Sequence, residues 1–173
     1  MRYLIVCGGK IDKEFGLNEI KTDGIDAIIA ADSGMDFLYD TGVPPDIIVG
    51  DFDSATTKAL EFFERKGQTE IHRLNPIKDD TDTEYAIRLA IREGARSIVM
   101  LGATGSRIDH VLGNISLLGI GLESKTDISI IDTNNRIRMA DKPVTIEKSA
   151  QYGRFVSLIA VTDDNEVSLR GFK

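Results

Sequence analysis

The chain has 173 residues, a formal charge of −7 at pH 7 and an isoelectric point near 4.9. This excess of acid argues against nucleic-acid or anionic-membrane partners, because no basic patch is available to neutralise phosphates. Apolar residues make up 42% of the chain and charged residues 28%, which is typical of a soluble globular protein. The single cysteine, Cys7, excludes an internal disulfide and a multi-cysteine zinc site.

The start of the chain predicts a cytoplasmic protein. Residues 2–7 read as an apolar strand rather than as the charged region and apolar core of a signal peptide. Apolar runs elsewhere stay well below membrane-spanning length. Cys7 lies within the strand pattern, so we expect a buried and unreactive thiol.

Short apolar runs alternate with helical patterns over the first 133 residues. The predicted strands are Tyr3–Cys7, Ala27–Ala31, Ile47–Val49, Glu70–Leu74, Ser97–Leu101 and Asp127–Ile131. The predicted helices are Met35–Asp40, Ala55–Lys66, Thr83–Glu93 and Ile108–Leu118. This alternation indicates βαβ units, and hence an α/β fold in which helices cover both faces of a parallel sheet. In such sheets, ligands bind beyond the carboxyl ends of the strands.

The pattern changes after Thr133, which divides the chain into residues 1–133 and 134–173. Turn signals now separate short β-like runs, at Arg136–Met139, Val144–Lys148, Arg154–Val161 and Glu166–Leu169. These runs predict a small antiparallel β unit. Because three or four strands with both faces exposed are marginally stable alone, we expect the unit to pack on the first domain or on another subunit.

The stretch Ile47–Ser54 places two carboxylates after a predicted strand. Residues two apart in an extended chain point to the same side, so Asp51 and Asp53 would face one pocket. Neighbouring carboxylates repel unless a cation lies between them, and oxygen ligands suit Mg²⁺. The alternative is a strand exit with two solvated loop acids. Asp32 and the loop after Gly102 also follow predicted strands, which favours a shared site.

The stretch Asn75–Glu84 combines a helix start with a cluster of acids. Thr81 and Glu84 fit a capping box, in which each side chain bonds the backbone near the other residue. Acids at a helix N-terminus also offset the macrodipole and need no further role. The alternative is metal or phosphate binding, because this stretch carries one lysine and three further acids, at Lys78, Asp79, Asp80 and Asp82.

The stretch Gly102–Asn114 reads as a glycine-rich turn between a strand and a helix, and such a turn can bind an anion through backbone amides. It matches neither the Walker A pattern nor the dinucleotide fingerprint. Arg107 could neutralise phosphate charge, and His110 and Asn114 share one helix face. A structural, hydrogen-bonded histidine is the alternative at His110. Nucleophilic catalysis finds little support, because no Gly-x-Ser-x-Gly elbow is present.

Together these stretches resemble the thiamine pyrophosphokinase family. The matching motifs occur in the family's order, at Gly8-Gly9, Asp32-Ser33-Gly34, Pro45-Asp46, Gly50–Ser54, Lys78–Glu84 and Gly102–Asn114. The resemblance implies Mg²⁺-dependent transfer of a pyrophosphoryl group from ATP to the thiamine hydroxyl, giving thiamine diphosphate and AMP. It further implies a Rossmann-like nucleotide-binding domain over residues 1–133, a C-terminal β-sandwich domain, and a homodimer with sites between subunits.

The resemblance also implies roles for individual residues. Asp51, Asp53 and Asp82 would hold the metal on the ATP phosphates, and Asp32 would lie near the metal and the transferred group. Asp32 is our guess for the acidic group that assists attack by the thiamine hydroxyl. Arg107 completes the predicted catalytic set. The expected cofactor-binding residues are Ser33, Gly34, Ser54, Lys78, Thr81, Thr104, Gly105, Asp109, His110 and Asn114.

The resemblance weakens at the end of the chain. The family usually continues beyond a segment like Leu169–Lys173 with further strands and a Ser-Asn-Glu motif. We therefore expect residues 134–173 to form a partial β-sandwich that contributes only part of the thiamine side. Two alternatives to the leading hypothesis are a pyrophosphokinase with another acceptor alcohol, such as a pterin, and an ATP- and Mg²⁺-binding module without catalysis. In a third alternative, the acids are solvated helix caps.

Overall fold

A computed structural model describes residues 1–52, 57–75, 81–105 and 107–171 of the chain. Within these ranges, helices and strands alternate up to the last strand. The elements are β1 Arg2–Val6, α1 Lys13–Ile20, β2 Ala27–Ala31, α2 Gly34–Thr41, β3 Ile47–Gly50, α3 Thr57–Lys66, β4 Glu70–Arg73, α4 Asp82–Arg92, β5 Ser97–Leu101, α5 Ile108–Ser124, β6 Asp127–Ile131 and β7 Arg136–Arg138. A 3₁₀ turn follows at Lys148–Ala150.

The strands form one sheet in the order β4-β3-β2-β1-β5-β6-β7. The first six strands are parallel, and β7 pairs antiparallel with β6 at the sheet edge. The chain runs outward from β1 to β4 and then crosses back to place β5 on the other side of β1. The carboxyl ends of β1 and β5 therefore flank the topological switch point, where open α/β sheets bind ligands.

The side chains of the central strands alternate between two hydrophobic cores. Tyr3 and Ile5 of β1 pack with the α4 and α5 side, whereas Leu4 and Val6 pack with the side of α1, α2 and α3. All four are at most 4% exposed. Burial on both faces explains why these strands read as continuous apolar runs rather than as alternating patterns.

The structure confirms the six predicted strands of the first 133 residues, each with boundaries within one residue. It also confirms the predicted helices where they are described, and α5 continues to Ser124. The helix α1 was missed because its amphipathic pattern is weak and Gly16 interrupts it. Its clearest signal was Asp12, whose side chain accepts a hydrogen bond from the Phe15 N–H at 2.9 Å and caps the helix.

The predicted antiparallel β unit is not confirmed. Of its four expected strands, only the first forms, as β7, and it extends the main sheet instead of starting a second one. The runs at 144–148, 154–161 and 166–169 contain no strand in the described chain, so these predictions were wrong. An alternating pattern forms a strand only beside a partner edge, and these side chains remain largely exposed, with Phe155 at 86% and Ile159 at 85%.

A membrane-spanning helix is absent from the described ranges, since none of their helices combines the necessary length and apolar character.

Candidate functional site

Three acidic side chains converge at the carboxyl edge of the sheet. Asp32 follows β2 directly, Asp51 follows β3, and Asp82 opens α4. One carboxylate oxygen from each lies within 4.8 Å of those of the other two. All three residues are partly buried, so their mutual repulsion is screened less than it would be on an open surface. An oxygen-only donor set of this kind fits a hard divalent cation such as Mg²⁺.

Asp32 is the member of this cluster whose carboxylate has a buried oxygen and, among the described residues, is incompletely hydrogen-bonded. Its Oδ1 is buried and accepts no hydrogen bond within the described part of the chain, while the Ser33 hydroxyl lies 3.5 Å from Oδ2. Burial raises the pKa of Asp32, and the charges of Asp82 and Asp51 raise it further, against the opposing hydrogen bonds from Ser33. The backbone is also left-handed here, with φ of +49°. A cation would relieve the charge and satisfy the buried oxygen.

The geometry after β3 differs from the expected one. We assumed an extended chain through residues 51–53, but Phe52 has a φ of +60°, so simple alternation does not hold there. A Cβ atom at Gly50 would lie 2.9 Å from the Phe52 ring, which shows how closely that ring folds back. Asp53 and Ser54 lie outside the described residues. The observed neighbours of Asp51 are instead Asp32 and Asp82.

Glycines let three loops meet at the switch point. A Cβ atom at Gly34 would lie 1.9 Å from the carbonyl oxygen of Val6. A Cβ atom at Gly9 would lie 2.2 Å from the carbonyl oxygen of Gly102, to which the Gly9 N–H donates a hydrogen bond at 2.9 Å. The loops after β1, β2 and β5 therefore pack backbone against backbone, which only glycine allows at these distances.

The N-terminus of α4 carries the third acid of the cluster. Thr81 caps the helix, since its Oγ1 accepts a hydrogen bond from the Glu84 N–H at 3.1 Å. The Glu84 carboxylate bonds Arg88 at 2.7 Å, one turn further along the helix. The predicted cap is thus confirmed, while the Glu84 side chain has a different partner from the one expected in a capping box. Lys78, with Asp79 and Asp80, lies outside the described residues.

The glycine-rich turn after β5 is fixed by side chains from two elements. Thr104 donates its hydroxyl to Asp132 Oδ2 at 2.9 Å, and Asn114 donates its side-chain amide to the Ala103 carbonyl at 2.8 Å. A Cβ atom at Gly105 would lie 3.8 Å from Gly9, so the turn also contacts the loop after β1. Asn114, expected to bind the cofactor, here holds the backbone of the turn.

Arg107, Asp109 and His110 lie at the exposed start of α5. Arg107 pairs with Asp109 at 2.6 Å, and this hydrogen bond lowers the pKa of Asp109 below its ordinary value. His110 Nε2 lies 3.9 Å from the same carboxylate. None of the three belongs to the acidic cluster, so their phosphate-binding roles stay predictions.

Cys7, which we expect to be a buried and unreactive thiol, has a structural environment, and so does His72. Cys7 is fully enclosed by the core, and burial raises the pKa of its thiol to about 12. His72, on the edge strand β4, lies 2.6 Å from Glu70 Oε1 through Nε2 and 3.1 Å from the Tyr85 hydroxyl through Nδ1.

One residue of this edge was missed from the sequence. Asp132, directly after β6, lines a cavity of about 360 Å³ that lies beside the glycine-rich turn. Lys10, Phe15, Thr104 and Asn134 are among the other residues that line it. The available signal was the same as for Asp32 and Asp51, an acid at the end of a buried strand.

Comparison with known proteins identifies the family. The family model described as "Thiamin pyrophosphokinase, catalytic domain" matches residues 21–131. Thiamine pyrophosphokinase of Bacillus subtilis (strain 168) is 37% identical over 147 residues, which cover 84% of this chain and 68% of the relative. Thiamine pyrophosphokinase 1 of Oryza sativa subsp. japonica is 30% identical over an alignment of 112 residues, with a coverage of 52% of this chain and 42% of the relative.

The fold agrees with the sequence match. The crystal structure of the Bacillus subtilis thiamine pyrophosphokinase superposes with a TM-score of 0.68 at 33% identity, covering 80% of this chain and 63% of that one. The chain thus spans roughly two thirds of the length of the Bacillus subtilis enzyme. These matches do not favour a pterin acceptor or a module without catalysis. This chain belongs to the thiamine pyrophosphokinase family.

Proposed function

We propose that this chain transfers a pyrophosphoryl group from ATP to the hydroxyl of thiamine, giving thiamine diphosphate and AMP. The observation that carries the proposal is the convergence of Asp32, Asp51 and Asp82 at the switch point of the sheet. In phosphoryl-type transfer, positioning and charge stabilisation do most of the catalytic work. A hard cation held by carboxylates and a backbone cradle for phosphate are the parts that such a reaction needs.

Mg²⁺ is the cofactor that this donor set suits. Asp51 and Asp82 would hold it, as predicted, and the geometry adds Asp32 as a third candidate ligand. Asp53 stays a predicted ligand. When bound, the cation would neutralise charge on the ATP phosphates. The buried and unpartnered Oδ1 of Asp32 supports this assignment, since buried polar atoms normally have partners.

The ATP phosphates would lie along the loops that meet at the switch point. Ser33 and Gly34 begin α2, Thr81 caps α4, and the turn from Gly102 to Gly105 precedes α5. Helix N-termini and glycine-rich turns both present backbone N–H groups to anions. Three exposed residues at the start of α5 would then contact the nucleotide from the solvent side: Arg107, Asp109 and His110.

Asp32 stays our candidate for the acidic group that assists attack by the thiamine hydroxyl. Its position beside the other two acids supports this role, because the predicted metal and the transferred group would lie next to it. A carboxylate has two oxygens, so Asp32 could contact both a cation and the hydroxyl.

We further propose that residues 1–133 form the catalytic domain and that residues 134–173 belong to the thiamine side of a cytoplasmic homodimer. Support comes from apolar side chains that the described chain leaves exposed and that a second copy would cover. Within residues 134–171, those at least half exposed are Val144, Phe155, Leu158, Ile159, Val161, Val167 and Leu169. Sedimentation velocity tests this, because a chain that stays monomeric at micromolar concentration would contradict the dimer.

The nucleotide product tests the proposed reaction. Incubation with ATP, Mg²⁺ and thiamine is expected to yield AMP and thiamine diphosphate, measured by anion-exchange chromatography. ADP as the product would contradict pyrophosphoryl transfer. A pterin alcohol in place of thiamine serves as the acceptor control and should give no AMP. The control variant is Asp127→Asn, which should retain wild-type turnover. Asp127 pairs with Arg138 and lies at the start of β6, the end away from the acidic cluster.

A further inference from the structure

The carboxylate of Asp132 joins two turns that are far apart in sequence. Its Oδ2 accepts the Thr104 hydroxyl at 2.9 Å, from the turn that precedes α5. Its Oδ1 accepts the main-chain N–H groups of Asn134 and Asn135, both at 2.8 Å, from the turn between β6 and β7. The side-chain amide of Asn135 adds contacts to both oxygens, at 3.0 and 3.2 Å.

These donors keep Asp132 ionised although it is partly buried. Burial acts to raise its pKa, but the hydrogen bonds from Asn134, Asn135 and Thr104 together hold it below the ordinary value. Both oxygens are thus engaged by the protein itself, so Asp132 can influence a ligand chiefly through the groups that it holds.

We propose that Asp132 is a positioning residue for the nucleotide, which fixes the turn carrying Thr104 against the β6–β7 turn. The inference rests on the proposed function, in which the turn from Gly102 to Gly105 binds the ATP phosphates. Thr104 and Asp132 both line the cavity of about 360 Å³, so their hydrogen bond sets the shape of its wall. Without the bond, the turn would keep its contacts with Gly9 but lose its attachment to β6.

The same position also fastens the chain that follows β7. The Tyr152 hydroxyl donates to the main-chain carbonyl of Asp132, and the Arg136 guanidinium lies 4.8 Å from the centre of the Tyr152 ring. Asp132 therefore connects the turn from Gly102 to Gly105, the sheet edge and the C-terminal segment. A change in its side chain should act on the first of these and leave the main-chain contact with Tyr152 in place.

The test compares two substitutions at Thr104. Thr104→Val removes the hydroxyl and keeps the shape, whereas Thr104→Ser keeps the donor. We expect Thr104→Val to weaken Mg²⁺–ATP binding about tenfold, the effect of losing one hydrogen bond to a charged group. Thr104→Ser, which keeps the donor to Asp132, should restore most of the ATP affinity that Thr104→Val loses. Calorimetry gives the dissociation constants, and steady-state kinetics should show a higher KM for ATP with an unchanged KM for thiamine.

The matched pair at β6 is Asp132→Asn and Asp127→Asn, the same substitution at opposite ends of one strand. Asp132→Asn should weaken ATP binding at least as much as Thr104→Val, and Asp127→Asn should not. Equal ATP affinity for Thr104→Val and Thr104→Ser would overturn the inference, as would an equal rise in both KM values. A wild type that binds ATP without making AMP would refute the proposed function alone, and the affinities would still decide the role of Asp132.

Discussion

The carboxyl edge around β1 and the segment after β7 show opposite relations between sequence and structure. At the edge, strands with fully buried side chains end in loops that touch through glycine backbones, and three acids converge there. After β7, residues 139–171 leave most of their apolar side chains exposed and form only a 3₁₀ turn within the described chain. Both regions had looked like β structure in the sequence.

The difference shows that an apolar pattern needs a pairing edge and a covering surface before it forms a strand. Each of β1, β2 and β5 lies between neighbouring strands and beneath helices, so its backbone and both faces are satisfied. The runs after β7 have the right alternation but pair with no strand of the described chain, and β7 remains the last strand of the sheet.

The largest contrast is expected between two isoleucines. Ile29 of β2 is fully buried, whereas Ile159 is 85% exposed. Ile29→Ala should lower the free energy of unfolding by roughly 2–5 kcal/mol, because it removes buried methyl groups and leaves a cavity. Ile159→Ala should change it by less than about 0.5 kcal/mol. Urea unfolding at a concentration where the chain is monomeric measures both changes. Similar losses of unfolding free energy in the two variants would contradict the contrast between the two regions.

Glycine substitutions sharpen the comparison within the first region. Gly34→Ala would place a Cβ atom 1.9 Å from the Val6 carbonyl oxygen, so we expect a loss near the upper end of about 1–3 kcal/mol. Gly113→Ala, in α5 with open space at the Cβ position, is the control and should stabilise the helix by about 1 kcal/mol. Thermal or urea unfolding separates them; a tolerated Gly34→Ala would contradict the close loop packing.

A smaller effect is expected where the two regions meet. Tyr152→Phe removes the hydroxyl that donates to the Asp132 carbonyl but keeps the ring beside Arg136. The free energy of unfolding should fall by about 1 kcal/mol, the usual net contribution of one hydrogen bond. The control Tyr39→Phe alters another tyrosine, whose ring packs edge-on against Phe62. An unchanged stability of Tyr152→Phe would show that the segment is not fastened there.

The smallest effect is expected at Asp32 and depends on pH. Its pKa is raised by burial and by Asp82 and Asp51, so the folded protein holds this proton more tightly than the unfolded chain does. Stability should therefore fall as pH rises from the ordinary aspartate value through the raised one.

Asp32→Asn should remove the fall in stability with rising pH, because asparagine carries no titrating proton. Asparagine also adopts positive φ readily, so it should fit the left-handed backbone. In EDTA, the variant should be more stable than the wild type near neutral pH, and the difference should shrink as the pH approaches the ordinary carboxyl value. Urea unfolding across this pH range measures it. A difference that grows toward low pH would contradict the assigned direction.

Much of the fold and part of the site could be predicted from sequence because they depend on local patterns. Apolar runs located the parallel strands, with the half-polar run at Glu70–Leu74 the weakest of the six, and an acid after a strand located Asp32 and Asp51. The parallel order then brought these acids together at one edge.

The remaining features depend on tertiary contacts that local patterns do not encode. At Phe52 the backbone is left-handed and the ring lies against Gly50, a close contact that the local pattern does not reveal. The role of Asp132 follows from the proximity of a turn that lies 28 residues earlier. The helix α1 depends on packing of Gly16 against Phe37, since its own amphipathic pattern is weak.

The central claim is that the acids at the carboxyl edge bind a divalent cation together with ATP. Calorimetric titration of ATP with and without Mg²⁺ tests it on the wild type, on Asp51→Asn and on the control Asp127→Asn. We predict that Mg²⁺ strengthens ATP binding at least about tenfold in the wild type and in Asp127→Asn, and that Asp51→Asn loses this gain. Equal ATP affinity with and without Mg²⁺ in the wild type, or an unchanged gain in Asp51→Asn, would contradict the claim.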